Sequence, residues 1–132
     1  MRFMLMMNGP MPKPGQGIEN WSKEDIRAHM AFMDTFTAGL KADGVLAGAE
    51  GLDYPPQPKI VRATRERTPS VTDGPFAETK EVLFGYWIVK VESPEQAYEI
   101  AARASAAPGP GGEPINMPIE VRQVMDGPPP ID

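Results

Sequence analysis

A chain of 132 residues with 41% apolar content is long enough for one domain with a real core, yet short enough to leave much of its surface exposed. Its 18 carboxylates against 13 Lys and Arg give a net charge of −5, which argues against the concentrated basic surface that nucleic-acid binding needs. With no cysteine and a single histidine, disulfide scaffolds, thiolate metal sites and cysteine nucleophiles are excluded, and a metal would draw nearly all its ligands from Asp and Glu, of which no tight cluster stands out.

The N-terminal "RFMLMMN" (2–8) reads as a strand, and "GPMPKPGQG" (9–17) as a Pro/Gly loop. The apolar run is too short for a signal peptide and breaks at Asn8-Gly9-Pro10. No stretch approaches the length of a membrane span, so a soluble, cytoplasmic protein is expected. A first helix is signalled by Ser22 at the N-cap with Asp25 at N3, close to a capping box, and by Trp21 and Ile26 at the staple positions. Ile26, Met30, Met33, Thr37 and Leu40 recur at helical spacing, and Ala42-Asp43-Gly44 provides the stop, with glycine suited to C′.

"VLAGAEGL" (45–52) predicts a second strand, weakened by Gly48 and ended by Pro55, Pro56 and Pro58. "KIVRAT" (59–64) and "PSVTD" (69–73) predict an inserted hairpin turning around Arg65-Glu66-Arg67. "VLFGYWIVKV" (82–91) is the strongest strand signal, rich in β-branched and aromatic residues. Ser93, Pro94 and Gln96 set up a second capped helix running to about Ala104. A Pro/Gly loop (106–117), a last strand (118–125) and a flexible tail (127–132) complete one domain over 1–126.

The order β-α-β-hairpin-β-α-β leads to an α+β, ferredoxin-like sheet whose first and third main strands are central. Along 82–91, Leu83, Trp87, Val89 and Val91 face one way and Phe84, Tyr86 and Ile88 the other. The first strand alternates Phe3, Leu5 and Met7 with Met4 and Met6. Both central strands are thus apolar on two faces. Two helices cover one face, so a second sheet from an identical subunit is expected over the other. The competing arrangement folds the loops at 9–17 and 106–117 across it.

Two residues carry the chemistry that can be read. His29 lies on the helix stripe between Ile26 and Phe36, either as a satisfied core histidine or as a proton-transfer group facing a cavity. Asp73 precedes Gly74-Pro75, where aspartate often closes a turn; Asp126-Gly127-Pro128 repeats the tripeptide, so the three letters alone are unspecific. Glu78, Lys80 and Glu81 read as a solvated turn, against salt links at a pocket rim, and Arg2 and Arg62 as holders of an anionic ligand, against ordinary strand-edge arginines. Ser70 and Ser105 lack a second histidine for a hydrolase triad, "GVLAGAEG" lacks the context of a nucleotide loop, and the nine methionines read as adaptable packing.

The longer string "VTDGPFAETKE" (71–81) resembles the signature of DGPF-domain proteins, a branch of the YCII-related family. "MRFMLMM", residues 29–52, "GYWIVKV" and "IEVRQVM" are similar to that family too, so the resemblance runs from 1 to about 126, with departures at 9–17 and 104–118. It implies a dimeric α/β barrel of ferredoxin-like subunits packed sheet to sheet. It also implies a cleft with a His–Asp pair, which falls here on His29 and Asp73, beside Gly74, Pro75, Phe76 and Arg62 as substrate-binding residues. The expected activity is a cofactor-independent lyase or isomerase reaction on a small molecule. The alternatives are a non-catalytic ligand-binding or regulatory dimer using the same cleft, and a scaffold whose dimer is its whole role.

Overall fold

In the computed structural model, which describes residues 1–131, a four-stranded antiparallel sheet carries two helices on one face. In chain order the elements are β1 (Arg2–Pro10), α1 (Lys23–Ala42), β2 (Leu46–Gly51), β3 (Lys59–Arg62), β4 (Ser70–Asp73), β5 (Glu81–Lys90), α2 (Pro94–Ser105) and β6 (Ile119–Gln123), with short 3-10 turns at Ile18–Asn20 and Pro110–Gly112. The sheet order is β2-β5-β1-β6. The two strands expected to be central are central, and the mixed α+β architecture is compatible with a ferredoxin-like fold. Among the described residues β3 and β4 pair only with each other.

Local chemistry explains the helix ends. The Ser22 hydroxyl accepts from the Asp25 amide at 3.0 Å and starts α1. At the other end Gly44 takes φ 75°, its amide reaches the Lys41 carbonyl, and the Val45 amide reaches the Leu40 carbonyl. These two bonds are a Schellman stop, and glycine is there because the left-handed backbone repels a Cβ. α2 starts with Pro94 in its first turn and the Ser93 hydroxyl accepting from the Gln96 amide. The Gln96 side chain reaches back one residue further than a standard box, to the Glu92 amide at 2.7 Å.

The covered face holds the core. Phe3 and Leu5 of β1 and Trp87 and Val89 of β5 lie under Phe36 and Leu40 of α1 and Ala97, Ile100, Ala101 and Ala104 of α2. α2 meets the sheet chiefly through small alanines, α1 through aromatics and Leu40. Phe36 stacks on Phe32 and meets Trp87 edge-on at 5.3 Å. The buried Trp87 indole donates to Thr37 Oγ1 at 3.0 Å, which satisfies its only polar atom. The α1 stripe runs through His29, Phe32, Met33, Phe36 and Leu40; Met30, expected on it, is 50% exposed, because the stripe drifts with the 3.6-residue turn.

The opposite face carries Met4 and Met6 of β1 opposite Ile88 and Tyr86 of β5, all half-buried. Edge strands frame them with charge: Glu50 of β2 opposite Tyr86, and Glu120 and Arg122 of β6 opposite Met6 and Met4. Of the two loops that could cover this strip, the second lies elsewhere. Residues 107–115 dock beside α1, on the helix side, through Asp25 and His29. The 17–20 turn holds Tyr54 through Glu19, and Tyr54 lies 6.5 Å from Phe84 at one end of the face. The tail is exposed from Asp126 to Ile131, and position 132 lies outside the described residues.

Candidate functional site

The DGPF segment is built as a corner. β4 ends at Asp73, the Gly74 amide donates to the Pro58 carbonyl at 2.8 Å, and the Gly74–Pro75 peptide is cis. A Cβ on Gly74 would meet Pro58 atoms at 3.3 Å, tighter than an ordinary contact, so any side chain there would push Pro58 back. The corner closes when the Lys80 amide reaches the Phe76 carbonyl, and the Lys80 carbonyl then takes the Met11 amide at the end of β1.

Between this corner, the 52–58 loop, β3 and the start of β5 lies an open cleft of ≈ 540 Å³. Its walls are mostly apolar: Leu52, Pro56, Ile60, Pro75, Phe76 and Leu83 among others. Asp53, Gln57, Lys59 and Glu81 add polar groups. The cleft thus combines an apolar wall with a few polar groups.

Lys59 and Asp73 face each other across the hairpin as a directly opposed pair and make a close ion pair. The hydrogen bond from Lys59, then its charge, holds the Asp73 carboxyl below the ordinary carboxylate value. Asp73 is therefore an exposed, ionised partner of Lys59. That pairing was countable from the sequence: a turn centred on Glu66 puts position 59 opposite 73 and Val61 opposite Val71.

His29 has a different environment. Its Nδ1 lies 3.0 Å from the Pro108 carbonyl, which accepts only, so Nδ1 carries the proton. One turn earlier Asp25 Oδ2 accepts from the Gly111 amide at 3.2 Å. Asp25 thus spends its carboxylate on the 107–115 loop rather than on a reciprocal capping bond. The two α1 side chains pin that loop together, and the Trp21 ring meets the imidazole edge-on at 5.6 Å. His29 Nε2 has no hydrogen-bond partner among the described residues.

The expected site residues thus divide. Pro75 and Phe76 line the cleft. Gly74 shapes its corner without lining it, and Arg62 is exposed on the hairpin. In the single chain His29 and Asp73 have separate partners, Pro108 and Lys59, and neither lines the cleft. Glu78 and Lys80 are exposed with no ion pair among the described residues, as a solvated turn should be. Arg2 donates to the Met125 carbonyl and tethers the end of β6.

Sequence reading missed a second titratable pair. Tyr54 donates its hydroxyl to Glu19 Oε2 at 2.8 Å. Glu19 sits below its usual value, chiefly through its own backbone amide and then through Tyr54. Tyr54 is pushed up, chiefly by desolvation and then by the Glu19 carboxylate. No sequence signal joins positions 35 residues apart in two irregular loops. Among the described residues no group of three or more His, Asp or Glu is placed to hold a metal ion, and no helix is long and apolar enough to cross a membrane.

The family model described as the YCII-related domain matches residues 1–111. A search of curated proteins finds no match.

Proposed function

We propose, for a chain that belongs to the YCII-related domain family, that it is a small-molecule-binding protein working as a sheet-to-sheet homodimer, with the cleft beside the hairpin as its ligand site. The observation that carries this reading is the ≈ 540 Å³ cleft whose wall includes Pro75 and Phe76. The string at 71–81, which resembles the DGPF branch, supplies both of those residues and the corner behind them. The dimer is supported by the half-buried strip of Met4, Met6, Tyr86 and Ile88 in a single chain. Packing two such strips together removes apolar surface from water on both copies at once and forms the two-sheet core of a dimeric barrel. The ligand class that suits the lining is a compact apolar molecule with hydrogen-bond donors for Asp53, Gln57 or Glu81.

One observation favours a catalytic second reading. Pro108 fixes the Nδ1-H tautomer of His29 and leaves Nε2 as a free proton acceptor, which is how a general base is held. In that reading the protein is a cofactor-independent lyase or isomerase, and Asp73 has to be brought to His29 by assembly or ligand binding.

Native mass spectrometry of protein purified under gentle conditions tests the binding reading. A small molecule retained by the wild type and lost in Phe76→Ala supports it. Retention that ignores Phe76→Ala moves the site elsewhere. With that molecule in hand, His29→Gln separates the readings: conversion that stops in the variant supports catalysis, and binding with no conversion in either protein supports a sensor.

A further inference from the structure

Among the described residues the β3–β4 hairpin pairs with no strand of the main sheet; it meets the body through the cleft, which Val61 also lines, and projects beyond it as an arm. Val61 and Val71 are directly opposed on it, 61% and 56% exposed. Neither contributes to the core. Two-stranded hairpins are marginally stable alone, and an exposed valine pair is a liability unless a partner covers it.

Charge indicates which partner. The hairpin, residues 59–73, holds Lys59, Arg62, Arg65 and Arg67 against Glu66 and Asp73, a net of +2; with the whole chain at −5, the remainder carries −7. A basic arm on an acidic body is complementary to another copy of the same chain, in both directions, under two-fold symmetry. Arg62, Arg65 and Arg67 are all exposed, and none has an ion pair within the chain among the described residues.

We propose that the Lys59–Asp73 hairpin is an arm that clasps the acidic body of a second copy, with Val61 and Val71 covered at the contact and the arginines neutralised there. The inference rests on the homodimer of the preceding section and adds to it a contact that the sheet face does not include. Opposite charge on arm and body also rejects an arm-to-arm pairing, which would set +2 against +2.

The test is sedimentation equilibrium of the full chain, three arm variants and Ile88→Glu, with folding checked by circular dichroism. Val61→Ser/Val71→Ser and Arg62→Glu/Arg65→Glu/Arg67→Glu should each weaken the dimer by about tenfold or more, equivalent to about 1.4 kcal/mol. Glu66→Lys, which makes the arm more positive, should tighten it. The wild-type dimer should weaken between low salt and about 1 M salt, where the screening length falls to about 3 Å, and the triple arginine variant should lose that dependence. A wild-type dimer that ignores all three variants but comes apart with Ile88→Glu on the open sheet face overturns the arm and keeps the sheet-to-sheet dimer. A wild type that stays monomeric overturns both.

Discussion

Replacing His29 with alanine isolates what the only histidine does for the fold. The Nδ1-H bond to Pro108 contributes about 1 kcal/mol net, and the edge-to-face contact with Trp21 about 0.5–1 kcal/mol. Alanine returns roughly 0.5 kcal/mol through its better helix propensity in the first half of α1. Pro108 is only half-buried, so water can replace the lost donor and no further desolvation term is added. The net loss is about 1–1.5 kcal/mol, a drop in melting temperature of roughly 4–6 °C for a domain of this size. Asp25→Ala removes the other pin on the same loop, so the double variant should lose less than the sum of the singles. Thermal melting followed by circular dichroism measures the loss. Amide exchange should locate it at Gly111 and Ile115, whose bonds to Asp25 and Ala107 hold the loop. A His29→Ala protein that melts with the wild type and keeps those amides protected would refute the pin.

Three further outcomes follow from single contacts. Thr37→Val leaves the buried Trp87 indole N–H without an acceptor and should cost about 1–3 kcal/mol, while Thr37→Ser should cost much less; chemical denaturation of the pair checks it. The Asp73 carboxyl, lowered from 3.8 by Lys59, contributes stability that is present above its unfolded value and lost as pH falls through the folded one. Lys59→Met should therefore move the Asp73 midpoint upward in a carboxyl NMR titration, and an unmoved midpoint contradicts the pair. Tyr54→Phe should raise the Glu19 midpoint toward 4.5 only in part, because the larger cause is the Glu19 backbone amide.

What the sequence disclosed was what short-range rules govern. Ser22, Gly44, Ser93 and Pro94 act within four residues of where they stand, and each does what its position implies. The two-faced pattern of β1 and β5 was legible because side chains alternate strictly along a strand, and it agreed with the central place that the element order gave both strands. Trp21 illustrates the limit. Its staple position pointed to Ile26, but its ring meets His29, whose own fixed point is a carbonyl 79 residues away in the 107–115 loop. The extra length of β1 was hidden for a similar reason. Gly9 and Pro10 look like loop, yet they pair with Val82 and Glu81 beyond a bulge after Met7, and Phe84 packs directly on Gly9. The cleft was half legible: the string at 71–81 supplied Pro75 and Phe76, but Leu52, Pro56 and Ile60 join them only through tertiary folding.

The central claim is that the strip of Met4, Met6, Tyr86 and Ile88 meets a second copy. Sedimentation equilibrium of the wild type beside Ile88→Glu tests it most directly. The wild type should give twice the 14.4 kDa chain mass at micromolar concentration, and Ile88→Glu a folded species of single mass. A wild type of single mass, or a dimer indifferent to a charge at position 88, contradicts it.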